Sequence, residues 1–281
     1  PQETAHGIRR FICGLSKKLL LSNAMGRMAD AVFTLPAGEI GMFAAWMGAI
    51  CYTLQIYFDF SGYSDMAIGM GRMFGFHFQE NFNYPYTATT IKEFWRRWHI
   101  SLSTWFRDYL YVPLGGNRKG RGRTWVNRFL VFFATGLWHG ASWNFVLWGL
   151  WHGTFSVLED SGVLPVQRLR GRLAGRIYTL LVVVLGFTLF RADTLAQAGA
   201  MFSAMFTGVG LNWAGTAAVC ALLTPSFLLC LLVSLLLSAP VAKRLEPKRE
   251  WITLAGSLVL LVLCMLDLSA GTFNPFIYFR F

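Results

Sequence analysis

The sequence has few charged residues. Charged side chains make up 14% of its 281 residues and hydrophobic residues 55%, whereas a soluble domain carries about 25% charged and about 45–50% apolar residues. The shortage of charge excludes a disordered tail, a fibrous repeat and an ordinary cytosolic enzyme. The aromatic share of 16% is typical of surfaces that face lipid or its interface. We therefore expect a protein that is mostly surrounded by lipid.

Several familiar chemical motifs are missing as well. The sequence contains no HExxH, GxSxG, Walker A or GxGxxG pattern, so zinc-dependent hydrolysis, a serine-hydrolase elbow and nucleotide hydrolysis have no support. The five cysteines form no CxxC pair and lie mostly in apolar runs, which predicts buried thiols without a disulfide framework or a zinc site. We expect no metal and no bound cofactor.

The N-terminus begins Pro1-Gln2-Glu3, without an initiator methionine and without the charged, apolar and small-residue regions of a signal peptide. We interpret the chain as the C-terminal part of a longer protein or as a processed chain.

The positive charges are clustered. The net charge is +11, but the cations lie in short groups between apolar runs, which argues against nucleic-acid binding and favours cytoplasmic loops of a membrane protein. Residues 117–128 carry five cations, and residues 165–176 and 243–250 carry four each, whereas residues 192–216 carry none. The positive-inside rule places the three basic loops in the cytoplasm and the cation-free segment outside.

The apolar runs predict an all-α polytopic membrane protein with about six to eight transmembrane or re-entrant helices. Residues 40–58, 217–240 and 251–268 are long enough to span a bilayer, and residues 177–190 form a shorter run. Residues 59–78 contain Asp59 and Asp65 and should be packed inside the protein or re-entrant, since charges at membrane depth must face protein or water. Glycines interrupt residues 129–158, which predicts a helical hairpin or two broken helices.

Residues 91–112 combine charge with aromatic side chains. Trp95, Trp98, His99, Leu102 and Trp105 recur at intervals of three and four, which places them on one helical face. We expect an interfacial helix here, ended by Pro113 and the two glycines that follow.

Two of the five histidines belong to a repeated sequence, GLWHG, at positions 136–140 and 149–153. Ionisable residues inside membrane segments are costly and are functional candidates by default, although a hydrogen-bonded structural histidine is an equal alternative. His139 is the better candidate, because Gly136 and Gly140 allow close approach and the small or polar residues after it suggest a turn that lines a cavity. For His152, on a firmer apolar helix, a structural role is favoured.

A third histidine, His99, lies in the sequence RRWHIS. An interfacial helix face is the simpler interpretation. The functional alternative is a second polar group beneath the cavity, with Arg96 and Arg97 offering charge to a phosphate.

Three runs of sequence resemble the membrane-bound O-acyltransferase family, in particular its bacterial alginate O-acetyltransferase membrane subunits. They are YFDFSGYSDMAIG at 57–69, ENFNYPYTATTIKEFWRRWHISLSTWFRDYLYVPLGG at 80–116 and FATGLWHGASWNFVLWGLWHG at 133–153. The terminal FNPFIYFRF is also similar to that branch. The resemblance implies one membrane domain over residues 1–281, the C-terminal part of the family fold, with a catalytic core at about 57–158.

The resemblance also implies roles for individual residues. His139 matches the family's essential histidine, and His99 matches a second histidine toward the cytoplasmic side. We name both as catalytic candidates, with His139 as a general base. The candidate substrate-binding residues are Arg96, Arg97, Asn144, His152 and Asp65.

The implied function is transfer of acetyl from a cytoplasmic thioester, acetyl-CoA or another acyl thioester, for O-acetylation of an exported polysaccharide such as alginate. A periplasmic acetyltransferase partner, membrane lipid and a multi-pass location in the bacterial inner membrane are expected with it. Two alternatives stay open. One is D-alanyl transfer to teichoic acid by the same family, and the other is a non-catalytic transporter or polymer-passage subunit that depends on Asp59 or Asp65.

Overall fold

The computed structural model describes residues 2–208, 212–241, 250–270 and 276. Regular structure in these ranges is helical and contains no strand, which confirms the all-α class. The longer helices, in chain order, are α1 Gln2–Ser16, α2 Asn23–Phe33, α3 Met42–Met73, α4 Ile91–Arg97, α5 Ile100–Phe106, α6 Gly120–His139, α7 Trp143–Ser161, α8 Val166–Leu169, α9 Leu173–Arg191, α10 Leu195–Thr207, α11 Trp213–Leu222, α12 Pro225–Leu237 and α13 Glu250–Ser269. π-Helical turns follow α1, at Lys17–Ser22, and α5, at Arg107–Tyr111.

The chain divides into two compact units. The first contains residues 1–35, 46–81 and 212–281, and the second contains residues 36–45 and 82–211. The expectation of a single membrane domain stays a prediction.

In the first unit, α1 and α3 pack closely through paired glycines. A Cβ atom on Gly14 would lie 2.6 Å from the carbonyl oxygen of Gly62, and one on Gly7 would lie 2.6 Å from that of Gly69. The two pairs run in opposite directions along the chain, so the helices are antiparallel. Small residues of this kind let membrane helices approach at backbone distance. α13 packs on α1, and α11 and α12 pack on α2.

Helix α3 joins the span predicted at 40–58 to most of the segment at 59–78, which contradicts the re-entrant alternative for that segment. The buried Asp59 agrees with the other alternative, a segment packed inside the protein. The structure has one continuous helix of 32 residues, about 48 Å long at 1.5 Å per residue. Its two aspartates keep their place in the helix because cations of the first helical segment neutralise them. Lys18 lies 2.5 Å from Asp59, and both side chains are buried.

The predicted span at 217–240 is not one straight helix. The chain forms α11 and α12, whose axes differ by 84° across a short break. Thr224 caps the second helix, since its hydroxyl accepts a hydrogen bond from the backbone nitrogen of Phe227 at 3.2 Å, and Pro225 occupies the first helical position. A threonine followed by proline is a helix start signal that the apolar composition concealed.

In the second unit, α6 and α7 form the antiparallel hairpin that the glycine-broken run at 129–158 predicts. The two helices touch at backbone level: a Cβ on Gly136 would lie 2.5 Å from the carbonyl oxygen of Phe145, and one on Gly149 would lie closer still to that of Phe132. α9 packs along α7, α10 packs on α9, and α4 lies against both α7 and α9.

The basic segments are less loop-like than predicted. Most of segment 117–128 belongs to α6, which begins at Gly120, and segment 165–176 contains α8 and the start of α9. The third basic segment, 243–250, lies outside the described residues except for Glu250, and the terminal run 273–281 does so except for Phe276.

Within the described residues, two helices are long and apolar enough to cross a membrane, α9 and α13. The bent pair of α11 and α12 would be a third. The first two match the predicted runs at 177–190 and 251–268. The larger count of six to eight membrane segments stays a prediction.

Candidate active site

His139 is the last residue of α6, at the turn into α7. The chain turns at Gly140, where a Cβ atom would lie 2.8 Å from the ring of Phe145. Ser142 then caps α7, because its hydroxyl accepts a hydrogen bond from the backbone nitrogen of Asn144 at 3.4 Å. The predicted turn after His139 is therefore present.

Four aromatic rings surround the imidazole of His139. The ring centroids of Trp138, Trp148, Phe190 and Phe145 lie 4.9, 5.1, 5.1 and 6.4 Å from that of His139. The side chain is half-buried. Imidazole ordinarily titrates near pH 6.5, so a neutral ring that can accept a proton is available at about neutral pH.

His99 lies at a break in the predicted interfacial helix. α4 ends at Arg97 and α5 begins at Ile100, so the prediction of one helix over 91–112 with five residues on one face is wrong. His99 adopts a left-handed backbone conformation with φ of 43°, which is uncommon for a residue with a side chain. Next to the break, the hydroxyl of Ser103 lies 3.3 Å from the carbonyl oxygen of Trp95 and 3.4 Å from that of Trp98, and its single hydrogen can be donated to either.

The structure brings His99 and His139 to the same neighbourhood. Both rings contact Trp138, with centroids 6.2 Å from His99 and 4.9 Å from His139. His99 is buried, and its Nδ1 lies 3.3 Å from the hydroxyl of Ser101. The two predicted catalytic histidines therefore contact the same indole.

A basic cavity of about 530 Å³ opens between α4, α5, α6 and α7. Four cations and five neutral polar side chains line it, and none of its lining residues is a carboxylate: Lys92, Arg96, Arg107 and Arg128, with Ser103, Thr104, Tyr111, Asn117 and Ser156. Asp160 pairs with Lys92 and Arg128, and Asp108 pairs with Arg107, so the net positive charge is smaller than four cations would give. The cavity still offers many N–H and O–H donors, which suit an anion with several oxygen atoms. Of the two neighbouring arginines predicted to bind phosphate, Arg96 lines this cavity.

A smaller cavity of about 160 Å³ shares the side chains of Trp95, Ser103 and Phe132 with the basic cavity. The rest of its lining is mostly apolar and includes Thr135, which lies one helical turn before His139. An elongated molecule with an anionic end and a less polar end matches the two cavities together.

Arg97 has a different role from Arg96. Its guanidinium lies 2.5 Å from Glu93 and donates to the hydroxyl of Thr87 at 2.7 Å. Burial opposes the charge on Glu93, but hydrogen bonds from Thr89 and the nearby Arg97 hold the pKa of this carboxyl below its usual value. These contacts fasten α4 to the preceding loop.

The remaining substrate-binding candidates are placed as follows. The amide nitrogen of Asn144, which is 2% exposed, donates to the carbonyl oxygen of Ala192. His152 is completely buried, and its ring lies 5.1 Å from Trp95 and 5.3 Å from Trp148. Asp65 belongs to the first unit, where Arg10 at 2.8 Å and Lys17 at 2.5 Å neutralise it.

The sequence analysis missed Glu159 and Asp160. Buried Glu159 accepts hydrogen bonds from the backbone nitrogens of Ile91 at 2.6 Å and Lys92 at 3.2 Å. Asp160 pairs with Lys92 and with Arg128, the latter at 3.1 Å. Two adjacent carboxylates at the end of an apolar helix were a signal that could have marked this position. Within the part of the chain that the structure describes, no three His, Cys, Asp or Glu side chains form a group that could hold a metal ion.

Comparison with known proteins gives the family. Residues 1–169 match the model of the membrane-bound O-acyltransferase family, and the chain belongs to this family. It is 41% identical over 300 aligned positions to the probable alginate O-acetylase AlgI of Pseudomonas putida, covering 99% of this chain and 61% of that protein. It is 50% identical over 204 positions to the probable alginate O-acetylase AlgI of Pseudomonas aeruginosa, covering 72% of this chain and 39% of the relative.

A relative with a different acceptor is also similar. The chain is 33% identical over 305 positions to the peptidoglycan O-acetyltransferase of Helicobacter pylori, covering 99% of this chain and 56% of that protein. The chain therefore spans less than two thirds of the length of each of these three relatives.

Proposed function

We propose that the chain carries the acyl-transfer centre of a membrane enzyme that O-acetylates an exported polysaccharide. The observation that carries this proposal is the placement of His139 at the α6–α7 turn, one helical turn from a cavity that adjoins the basic cavity. Relatives named as alginate O-acetylase and peptidoglycan O-acetyltransferase support both the acetyl group and a glycan acceptor.

His139 acts as the general base in this proposal. Its neutral imidazole takes the proton of an acceptor hydroxyl while the hydroxyl oxygen attacks the carbonyl carbon of the acyl thioester. The new C–O bond forms, the C–S bond breaks, and the departing thiolate recovers the proton from the imidazolium. His99, which also contacts Trp138, assists by binding or by proton relay.

The donor is a thioester that bears phosphate, with acetyl-CoA as the leading candidate. The phosphates occupy the basic cavity, where Arg96 supplies charge and directional donors. Arg107 and Arg128 supply further N–H donors, and each also pairs with a carboxylate, Asp108 and Asp160 respectively. The thioester end lies in the smaller cavity toward His139.

The setting is the bacterial inner membrane, crossed several times, with the donor arriving from the cytoplasm. A periplasmic acetyltransferase completes the transfer to the polymer. A transport role through Asp59 or Asp65 has little support, because cations pair with both carboxylates inside the first unit. These pairs stabilise the packing of α1 on α3.

The test compares wild type with His139→Ala in the protein as the cell makes it, matched for abundance in the membrane. The acetyl esters on the exported polysaccharide are counted. Loss of a general base lowers the rate by about 10²–10⁴-fold, so esters should fall to background. His77→Ala is the matched control, because His77 is exposed in the first unit, and it should leave the ester count unchanged.

Unchanged esters in His139→Ala would remove the catalytic assignment. If the wild-type protein adds no acetyl, labelled D-alanine is the next donor group to follow, and its appearance on teichoic acid would replace the acetyl assignment.

A further inference from the structure

Glu159 forms an unusual link between two helices of the second unit. Its buried carboxylate, near the end of α7, accepts hydrogen bonds from the first two backbone nitrogens of α4, those of Ile91 and Lys92. It also accepts a hydrogen bond from the hydroxyl of Tyr178 on α9 at 3.2 Å. The ionised carboxylate offers only acceptors, so in this orientation it can accept all three hydrogen bonds at once.

Helix α4 carries three of the residues that line the basic cavity. Lys92 and Arg96 line the cavity from α4, and Trp95 lines both cavities. α4 has only seven residues, so its own hydrogen bonds cannot fix its position. Its orientation depends on tertiary contacts, which are the packing of Phe94 and Trp95 against α7 and α9 and the hydrogen bonds at its ends.

We propose that Glu159 is a positioning residue for donor binding: it holds the start of α4 so that Lys92 and Arg96 face the basic cavity. The proposal rests on the proposed function in taking a phosphate-bearing thioester as the ligand. Glu159 itself does not line the cavity and touches no reacting atom. His99, beyond the other end of α4, has its own support, because its carbonyl oxygen accepts from the backbone nitrogen of Ser103 at 3.0 Å. Donor binding should therefore suffer more than the chemical step.

The experiment uses the intact protein in membranes or detergent, with Glu159→Gln as the main variant. Glutamine keeps the size of the side chain but turns one acceptor oxygen into an NH₂ group that faces a backbone N–H. The dissociation constant of coenzyme A should rise by about ten-fold, the loss expected when a charge-assisted hydrogen bond is broken. The KM for acetyl-CoA should rise similarly, while kcat changes by no more than about three-fold.

Two further variants separate positioning of α4 from general loosening. Tyr178→Phe removes only the bond from α9 to Glu159 and should leave coenzyme A binding within about two-fold of wild type. Asp193→Asn alters an exposed carboxylate of the same unit and should have no effect. Hydrogen exchange at the backbone amides of Ile91 and Lys92 should become faster in Glu159→Gln and stay slow in the other two.

Several results would overturn the proposal. Unchanged coenzyme A binding in Glu159→Gln, or an equal loss in Tyr178→Phe, would show that Glu159 does not act through α4. Lower kcat with an unchanged KM would do the same. The binding and exchange measurements need no turnover. They therefore decide this proposal even if the wild-type protein transfers no acetyl group, a result that would contradict only the proposed function.

Discussion

Asn144 shows how one buried side chain can hold the turn after His139 in place. It lies two residues after the Ser142 cap and five after His139, and its amide nitrogen donates to the carbonyl oxygen of Ala192 at the end of α9. The side chain is 2% exposed, which leaves little surface for a substrate. The hydrogen bond and the burial favour a structural role for Asn144 over the predicted role in substrate binding.

We expect Asn144→Ala to lower the free energy of unfolding by about 1–3 kcal/mol, because it removes a buried hydrogen bond and leaves a carbonyl without its partner. Asn144→Asp should be worse, because a carboxylate would face that carbonyl oxygen. Thermal unfolding of the purified protein measures both, with the exposed Gln2→Ala as control. An unchanged melting temperature together with a raised KM would instead support substrate binding.

The sequence predicts some features of this site but does not distinguish all of its residues. The turn after His139 could be predicted because the glycines beside this histidine and the polar residues after it are visible in one short run. Arg96 and Arg97 could not be told apart, since they are adjacent and equally basic. The two arginines differ in their contacts. The guanidinium of Arg97 pairs with Glu93 and donates to Thr87, whereas Arg96 lines the cavity that α4 forms with α6 and α7.

Among the helices, the packing of α1 on α3 is fixed by backbone contact at two glycine pairs. A methyl group on Gly14 would lie 2.6 Å from the carbonyl oxygen of Gly62 and 2.8 Å from the backbone nitrogen of Met66. Both are main-chain atoms, so a side-chain rotation cannot relieve the overlap. The helices would have to separate, which would disturb the ion pairs of Asp59 and Asp65 next to the contact.

Gly14→Ala should therefore destabilise the protein by about 1–3 kcal/mol through overpacking. The matched control is Gly256→Ala on α13, where an added Cβ meets no atom within 4 Å. That change should be neutral or stabilise the helix by about 0.5–1 kcal/mol, since alanine favours helix over glycine. Melting temperatures in one detergent compare the two variants. An equal loss in both would show that the α1–α3 contact is not close.

The hydrophobic runs predicted where the helices lie, but they did not predict whether a helix continues or breaks. The aspartates of α3 suggested that the membrane span ends at residue 59. The helix nevertheless continues to Met73, with a cation from the preceding helical segment paired with Asp59. The break at Trp98 and His99 has no proline or glycine to mark it, because the left-handed residue is a histidine. Continuity depends on tertiary partners, which one-dimensional periodicity does not contain.

For the whole molecule, the distribution of cations sets the expected direction across the membrane. Residues 117–128 and 165–176 hold nine of the 25 Lys and Arg residues, whereas 192–216 holds none. The basic cavity and the basic segment 117–128 lie on the same side of the second unit, because Arg128 belongs to the segment and lines the cavity. A donor from the cytoplasm requires that this side be the inner one.

Cysteine labelling tests this direction. Gly122 in α6 and Gly199 in α10 are exposed and have open space for a side chain, so each accepts cysteine without strain. The exposed native Cys13 and Cys220 are first replaced by serine. In spheroplasts, a maleimide that does not cross membranes should label Gly199→Cys directly and Gly122→Cys only after permeabilisation. Labelling of Gly122→Cys without permeabilisation would place the basic cavity outside, and the cytoplasmic thioester would then have no route to Arg96 and Arg128.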